Sequence, residues 1–177
     1  NIDMMPSFFI KGTKFNLNTL LRNKVLAEYF EGGSCVISRL APVDYHRFHF
    51  PCNGIPQKSQ LVNGPLFSVH PLALANSLKI FGENKRCVTV LDSEVFGKVA
   101  LIEIGATCIG SIQQTYSAEK SVVAGEEKGY FAFGGSTVIT LFQYKRIALA
   151  EDLLHYSQQG IELYAHVGDF MGKATMS

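Results

Sequence analysis

Apolar residues recur at helical spacing in one early stretch of the chain. Leu17, Leu20, Leu21, Val25, Leu26, Tyr29 and Phe30 fall on one face. Asn16 stands where an N-cap belongs, and Glu31-Gly32-Gly33 supplies a glycine stop. This predicts one helix over 17–30. Beyond it the period shortens to two. Short β-rich runs cover 35–40, 45–50, 85–91, 98–106, 110–116, 129–133 and 137–142, with glycine or proline at the breaks. In 98–106, Val99, Leu101 and Glu103 alternate with Ala100, Ile102 and Ile104. A short helix over 150–157 and a strand over 161–167 complete the expectation. The stretch 53–82 holds Pro56, Pro65 and Pro71 and shows no regular period, so it reads as a long loop, either a covering flap or a functional segment. These elements predict an α+β, mostly β chain: a compact antiparallel β-barrel or sandwich-like domain with flanking helices, in one unit over 1–177.

Composition narrows the function classes. The chain has 177 residues, 47% hydrophobic and 18% charged, with a formal net charge of +1. That balance excludes a disordered chain and lacks the basic bias of a nucleic-acid binder. No apolar run approaches the ~18 residues that a spanning helix needs. Cys35, Cys52, Cys87 and Cys108 form no C-x-x-C pair, so no metal site is expected and buried free thiols are.

Two stretches concentrate chemistry. Asp44-Tyr45-His46-Arg47-Phe48-His49-Phe50-Pro51 places two histidines within four residues. Imidazole titrates near neutral pH and serves as acid or base. On a regular strand, however, His46 and His49 point to opposite faces, so a shared site requires a bend or bulge. The plain alternative is one histidine satisfied in the core and the other exposed. The second stretch is Phe131-Ala132-Phe133-Gly134-Gly135-Ser136-Thr137-Val138-Ile139. Its glycines leave the Gly135 carbonyl open to approach, and the hydroxyl of Ser136 follows directly. It is neither a Gly-x-Ser-x-Gly elbow nor a phosphate loop, and a hairpin turn is the plain alternative. His70, His155 and His166 read as structural or solvent-facing. Gly125-Glu126-Glu127 reads as a solvated turn, and Lys85-Arg86 and Lys145-Arg146 as surface charge.

Taken together, these stretches resemble the phosphatidylserine decarboxylase family. The resemblance rests on Asp44 through Gly54, Gly64-Pro65-Leu66-Phe67-Ser68-Val69, Asn84-Lys85-Arg86, Phe96-Gly97-Lys98-Val99-Ala100 and Ile104-Gly105-Ala106-Thr107 with Gly110-Ser111-Ile112. It continues through Gly129-Tyr130-Phe131 into Gly134-Gly135-Ser136-Thr137-Val138-Ile139, and runs from about Phe9 to about Gly172. It implies a self-processing proenzyme that cuts itself between Gly135 and Ser136. Ser136 then becomes a covalent pyruvoyl group, and residues 1–135 and 136–177 stay packed together. His49 matches the family's self-cleavage histidine, and His46 is the candidate for the proton donor or for positioning substrate. The implied activity converts phosphatidylserine to phosphatidylethanolamine and carbon dioxide through a Schiff base with the pyruvoyl carbonyl. The implied partners are a phospholipid substrate, a membrane surface held peripherally and the second cleaved chain. A homodimer is a further candidate assembly.

One departure stands out. The family's self-cleavage triad includes an aspartate from an upstream Pro-Ala-Asp-Gly-like motif, and no such motif occurs here. Asp3 lies too close to the helix to match it, and Asp44 belongs to another motif. The chain is therefore expected to be part of a longer protein or a shortened homologue, with slow processing or none as it stands. Two other readings remain open: a pyruvoyl-dependent decarboxylase of a free amino acid, and a non-catalytic homologue.

Overall fold

A computed structural model describes residues 16–41, 43–107, 111–132 and 136–175. The predicted first helix is two: α1 (Leu17–Leu21) and α2 (Lys24–Phe30). Asn16 caps the first, accepting from the Thr19 amide at 3.0 Å, as expected. Asn23 caps the second, accepting from Leu26 at 3.0 Å, and Arg22 between them takes a left-handed φ of 52°. A second side chain able to cap splits the helix without disturbing its apolar face.

Next come β1 (Ser34–Leu40), β2 (Arg47–His49), β3 (Ile55–Pro56) and β4 (Gln60–Val62). Two short helices follow, α3 (Pro71–Asn76) and α4 (Lys79–Glu83). The stretch read as a long loop therefore contains two edge strands and two helices, each too short to show a period. The remaining elements are β5 (Arg86–Ser93), β6 (Gly97–Ile104), β7 (Ser111–Gln114), β8 (Glu127–Ala132), β9 (Ser136–Phe142), β10 (Ile147–Leu149), α5 (Glu151–Gln158) and β11 (Gly172–Ala174).

The chain is mostly β and antiparallel, as expected, but its sheets do not close into a barrel. The main sheet runs β1-β9-β6-β5-β3, with β4 also on β5. A three-stranded sheet runs β2-β8-β7, and β10 pairs with β11. The main sheet has two covered faces. On one, Ala100, Ile102, Ile104, Ile139 and Leu141 share a core with Leu17, Leu20, Leu21, Phe30 and Phe81 of the helices. On the other, Leu101 and Phe142 pack with Phe50, and Val138 packs with Phe48 and Phe131 of the three-stranded sheet. Burial on both faces explains why β5, β6 and β9 read as nearly continuous apolar runs.

Arg86 corrects the surface reading of Lys85-Arg86. It is fully buried, and its guanidinium donates to the carbonyl oxygens of Leu20, Thr19 and Asn84 at 2.7 Å each. The first two lie in α1, so a buried cation ties that helix to the sheet through carbonyls its short length leaves open. Burial pulls Arg86 down to about 10. The predicted strand over 161–167 is absent as well. Ile161, Tyr164 and Val167 are exposed there, and the segment is held to β1 by a two-pronged Arg39–Glu162 pair at 2.7–3.2 Å. A period of two makes a strand only where backbone pairing follows, and this segment meets the β1 edge through a side-chain ion pair instead.

Candidate active site

Ser136 opens β9, a central strand between β1 and β6. Its register partner on β1 is Leu40. Alternation along β9 puts Ser136, Val138 and Thr140 on the face toward the three-stranded sheet, and Thr137, Ile139 and Leu141 toward the helices. Ser136 is wholly buried, and its hydroxyl has no hydrogen-bond partner. A buried hydroxyl without a partner costs about 1–3 kcal/mol, so its persistence at such a position calls for a reason.

The facing sheet carries the histidines. On β2 and its flanks, Phe48 and Phe50 are buried and face the main sheet, while Tyr45 and Arg47 are exposed. His46 belongs to the inward set by alternation, and the Phe131 amide donates to its carbonyl at 2.9 Å. Its ring Nδ1 lies 2.6 Å from the Asp44 carbonyl oxygen, and its Nε2 is buried with no partner. A carbonyl only accepts, so Nδ1 carries a proton, and any lone pair of the ring lies at Nε2. Phe50 meets Phe142 and Leu101, Phe48 meets Val138, and His46 is the next inward residue beyond Phe48. On β9 the next residue beyond Val138 on the same face is Ser136. By this alternation His46 and Ser136 fall toward the same end of the inter-sheet layer, and His46 Nε2 and Ser136 Oγ are both buried atoms without a hydrogen-bond partner.

His49 lies elsewhere. It is on the outer face, opposite Glu127, stacked on Tyr45 with ring centroids 5.7 Å apart and 11° between planes. Arg47 and Glu127 pair beside it at 2.6 Å, and Thr115 donates to Glu127 at 3.0 Å. The Thr115 bond and the Arg47 guanidinium hold Glu127 below the ordinary carboxylate range. The strand pair does contain an irregularity between Phe48 and His49, but the extra residue is Lys128 on β8, so the histidines keep opposite faces. Gly135 lies outside the described residues, as does Cys108.

The same layer holds a charge cluster that the sequence reading passed over. Lys128 and Glu103 are both buried, with Nζ 3.0 Å from the carboxylate. Gln114 accepts from Lys128 at 2.7 Å and donates to Glu103 at 2.9 Å. The ammonium also sits over the Phe48 and Tyr116 rings at 5.4 and 5.2 Å. Burial pushes the Glu103 carboxyl up and pulls the Lys128 ammonium down. The one hint in sequence was a charge inside the apolar run 99–104. Among the described residues no cluster of three or more His, Cys, Asp or Glu is placed to hold a metal. Cys35, Cys52 and Cys87 are buried free thiols, with burial pushing Cys35 up to about 12. His70 caps α3, accepting from Leu72 at 3.3 Å, and is exposed along with His155 and His166.

A serine following two glycines at the head of a buried strand, below a histidine of fixed tautomer, suits proton-transfer chemistry at the chain's own backbone. Comparison with known proteins sets the chain among relatives named as proenzymes. A family model described as phosphatidylserine decarboxylase matches residues 1–171. Proteins named phosphatidylserine decarboxylase proenzyme match from Chlamydia muridarum (53% identical over 94% of this chain and 55% of that protein) and Chlamydia pneumoniae (48% over 98% and 58%). One from Clostridium novyi is 45% identical over 97% of this chain and 58% of its own length. The chain belongs to the phosphatidylserine decarboxylase family. It spans just over half the length of these curated relatives.

Proposed function

We propose that the protein converts phosphatidylserine to phosphatidylethanolamine and carbon dioxide, using a pyruvoyl group made from Ser136. What supports this reading is that Ser136 Oγ and His46 Nε2 are both buried without a hydrogen-bond partner, and that strand alternation directs both residues toward one end of the inter-sheet layer. These residues fit the group: a serine hydroxyl free of competing hydrogen bonds is available to attack the Gly135 carbonyl. That attack exchanges the amide for an ester. Elimination breaks the ester and hydrolysis releases the nitrogen, leaving a ketone at residue 136. A base near the hydroxyl and a buried setting favour the first step.

Once formed, the pyruvoyl group supplies an electrophilic carbonyl that draws electrons from the carbon losing its carboxylate. His46 holds a proton-accepting Nε2 toward this end of the layer and, when protonated, returns a proton to that carbon. Main-sheet pairing keeps the pieces 1–135 and 136–177 together. β9 starts the smaller piece, yet both of its neighbours, β1 and β6, belong to the larger.

The family resemblance implies the self-cleavage role for His49, whose ring stacks on Tyr45 on the outer face, away from the buried Ser136 hydroxyl, so the two histidines are to be assigned by experiment. No helix among the described residues is long and apolar enough to cross a membrane. A phospholipid substrate nonetheless requires contact with a lipid surface, which we assign as peripheral. The decisive assay follows carbon dioxide release by the full-length protein from phosphatidylserine vesicles and from free aromatic amino acids. Release from the phospholipid alone is expected, and release from a free amino acid alone overturns the substrate. Single His49→Ala and His46→Ala variants assign the histidines. Cleavage stopped by the first supports the stated roles, and cleavage stopped only by the second moves the base to His46.

A further inference from the structure

Asp44 has no role in the account so far, yet it joins the two halves of the site. β1 ends at Leu40, the register partner of Ser136. His46 lies six residues on, across the layer. Between them the chain closes a turn on itself: the Ala41 amide donates to the Asp44 carboxylate at 2.6 Å, and the Asp44 amide donates to the Ala41 carbonyl at 2.9 Å. The same residue's carbonyl then accepts from His46 Nδ1 at 2.6 Å. Neighbouring Val43 is 94% exposed.

We propose that Asp44 is the positioning residue for His46. Its carboxylate sets the turn, the turn aims its own carbonyl, and that carbonyl fixes the ring's tautomer and direction, leaving Nε2 as the free lone pair. The short span from Leu40 to His46 sets the reach between the imidazole and the strand that pairs with Ser136. A carboxylate that acts only through a backbone carbonyl never touches substrate. Its loss misplaces the ring without changing the ring's chemistry, and such misplacement by ~1 Å can cost about 10²-fold in rate. This inference rests on the proposed role of His46.

The test is a double-mutant cycle in the full-length protein between Asp44→Ala and His46→Ala, read on whichever step His46→Ala slows. Asp44→Ala alone is expected to lower that rate by roughly 10²-fold, through kcat rather than KM where turnover is read, with a melting curve close to the parent's. In the His46→Ala background it is expected to cost nothing more. Asp44→Asn, which still accepts from Ala41, retains most of the rate, and Val43→Ala in the same turn leaves it unchanged. An equal loss from Asp44→Ala in both backgrounds, or none in either, overturns the inference while leaving His46 in place. A His46→Ala variant that cleaves and turns over normally overturns the role of His46, and the inference with it.

Discussion

The layer between the two sheets contains two polar groups of opposite character. The Glu103–Lys128–Gln114 cluster is cross-bonded: each side chain bonds the other two and the ammonium is roofed by two aromatic rings, while one Glu103 oxygen has the ion pair with Lys128 alone. The Ser136–His46 end is open, with one hydroxyl and one imidazole nitrogen buried and unpartnered. Ser136 is as deeply buried as Glu103 and Lys128, so burial alone does not separate the two. Satisfaction does. A closed network serves the fold, whereas an open one keeps its hydrogen-bonding capacity for something that arrives or forms later.

Substitution at each end is the sharpest way to break this contrast. The largest effect is expected from Ser136→Ala, which should abolish self-cleavage completely while leaving unfolding free energy within about 1 kcal/mol of the parent. A large drop in stability would make Ser136 a structural residue instead. Next is Lys128→Met, which strands a buried carboxylate and should cost about 3–5 kcal/mol in denaturant unfolding. Pairing it with Glu103→Leu should recover most of that loss, since an apolar pair replaces an ion pair well at a buried site. Failure of the double variant to recover would show that the cluster does more than hold the sheets.

Arg86→Met comes third. It removes a donor from three carbonyls and should cost about 3 kcal/mol, with faster amide exchange confined first to α1. The smallest effect belongs to the surface pair. Arg39 holds Glu162 below its ordinary value of 4.5, chiefly through their hydrogen bond. A lowered folded value contributes stability that is present above the ordinary value and lost as pH falls through the folded one. Glu162→Gln should therefore cost under ~1 kcal/mol near neutral pH, and the gap from the parent should close on acid titration. A gap that widens in acid would reverse the sign of that coupling.

Much of the fold was legible because period-two runs bounded by glycine and proline map directly onto β1, β5, β6 and β9. The α1–α2 break was hidden, since a second asparagine within an apolar helical stripe leaves the periodicity intact. Arg86 was misread because a charged pair looks superficial until its carbonyl partners, 66 and 67 residues away, are known. The candidate site was legible as motif but not as geometry. Ser136 and the histidines stood out in the residue pattern, whereas the separation of His46 from His49 depends on a bulge that falls on the partner strand. Asp44 was invisible as a support because its action runs through its own backbone carbonyl.

The central claim is that Ser136 is a latent prosthetic group. Denaturing mass spectrometry of the purified full-length protein tests it most directly. The account predicts two species, with the smaller beginning at residue 136 and carrying a blocked N-terminus. A single uncut chain, or a cut that leaves a free serine at 136, would contradict it.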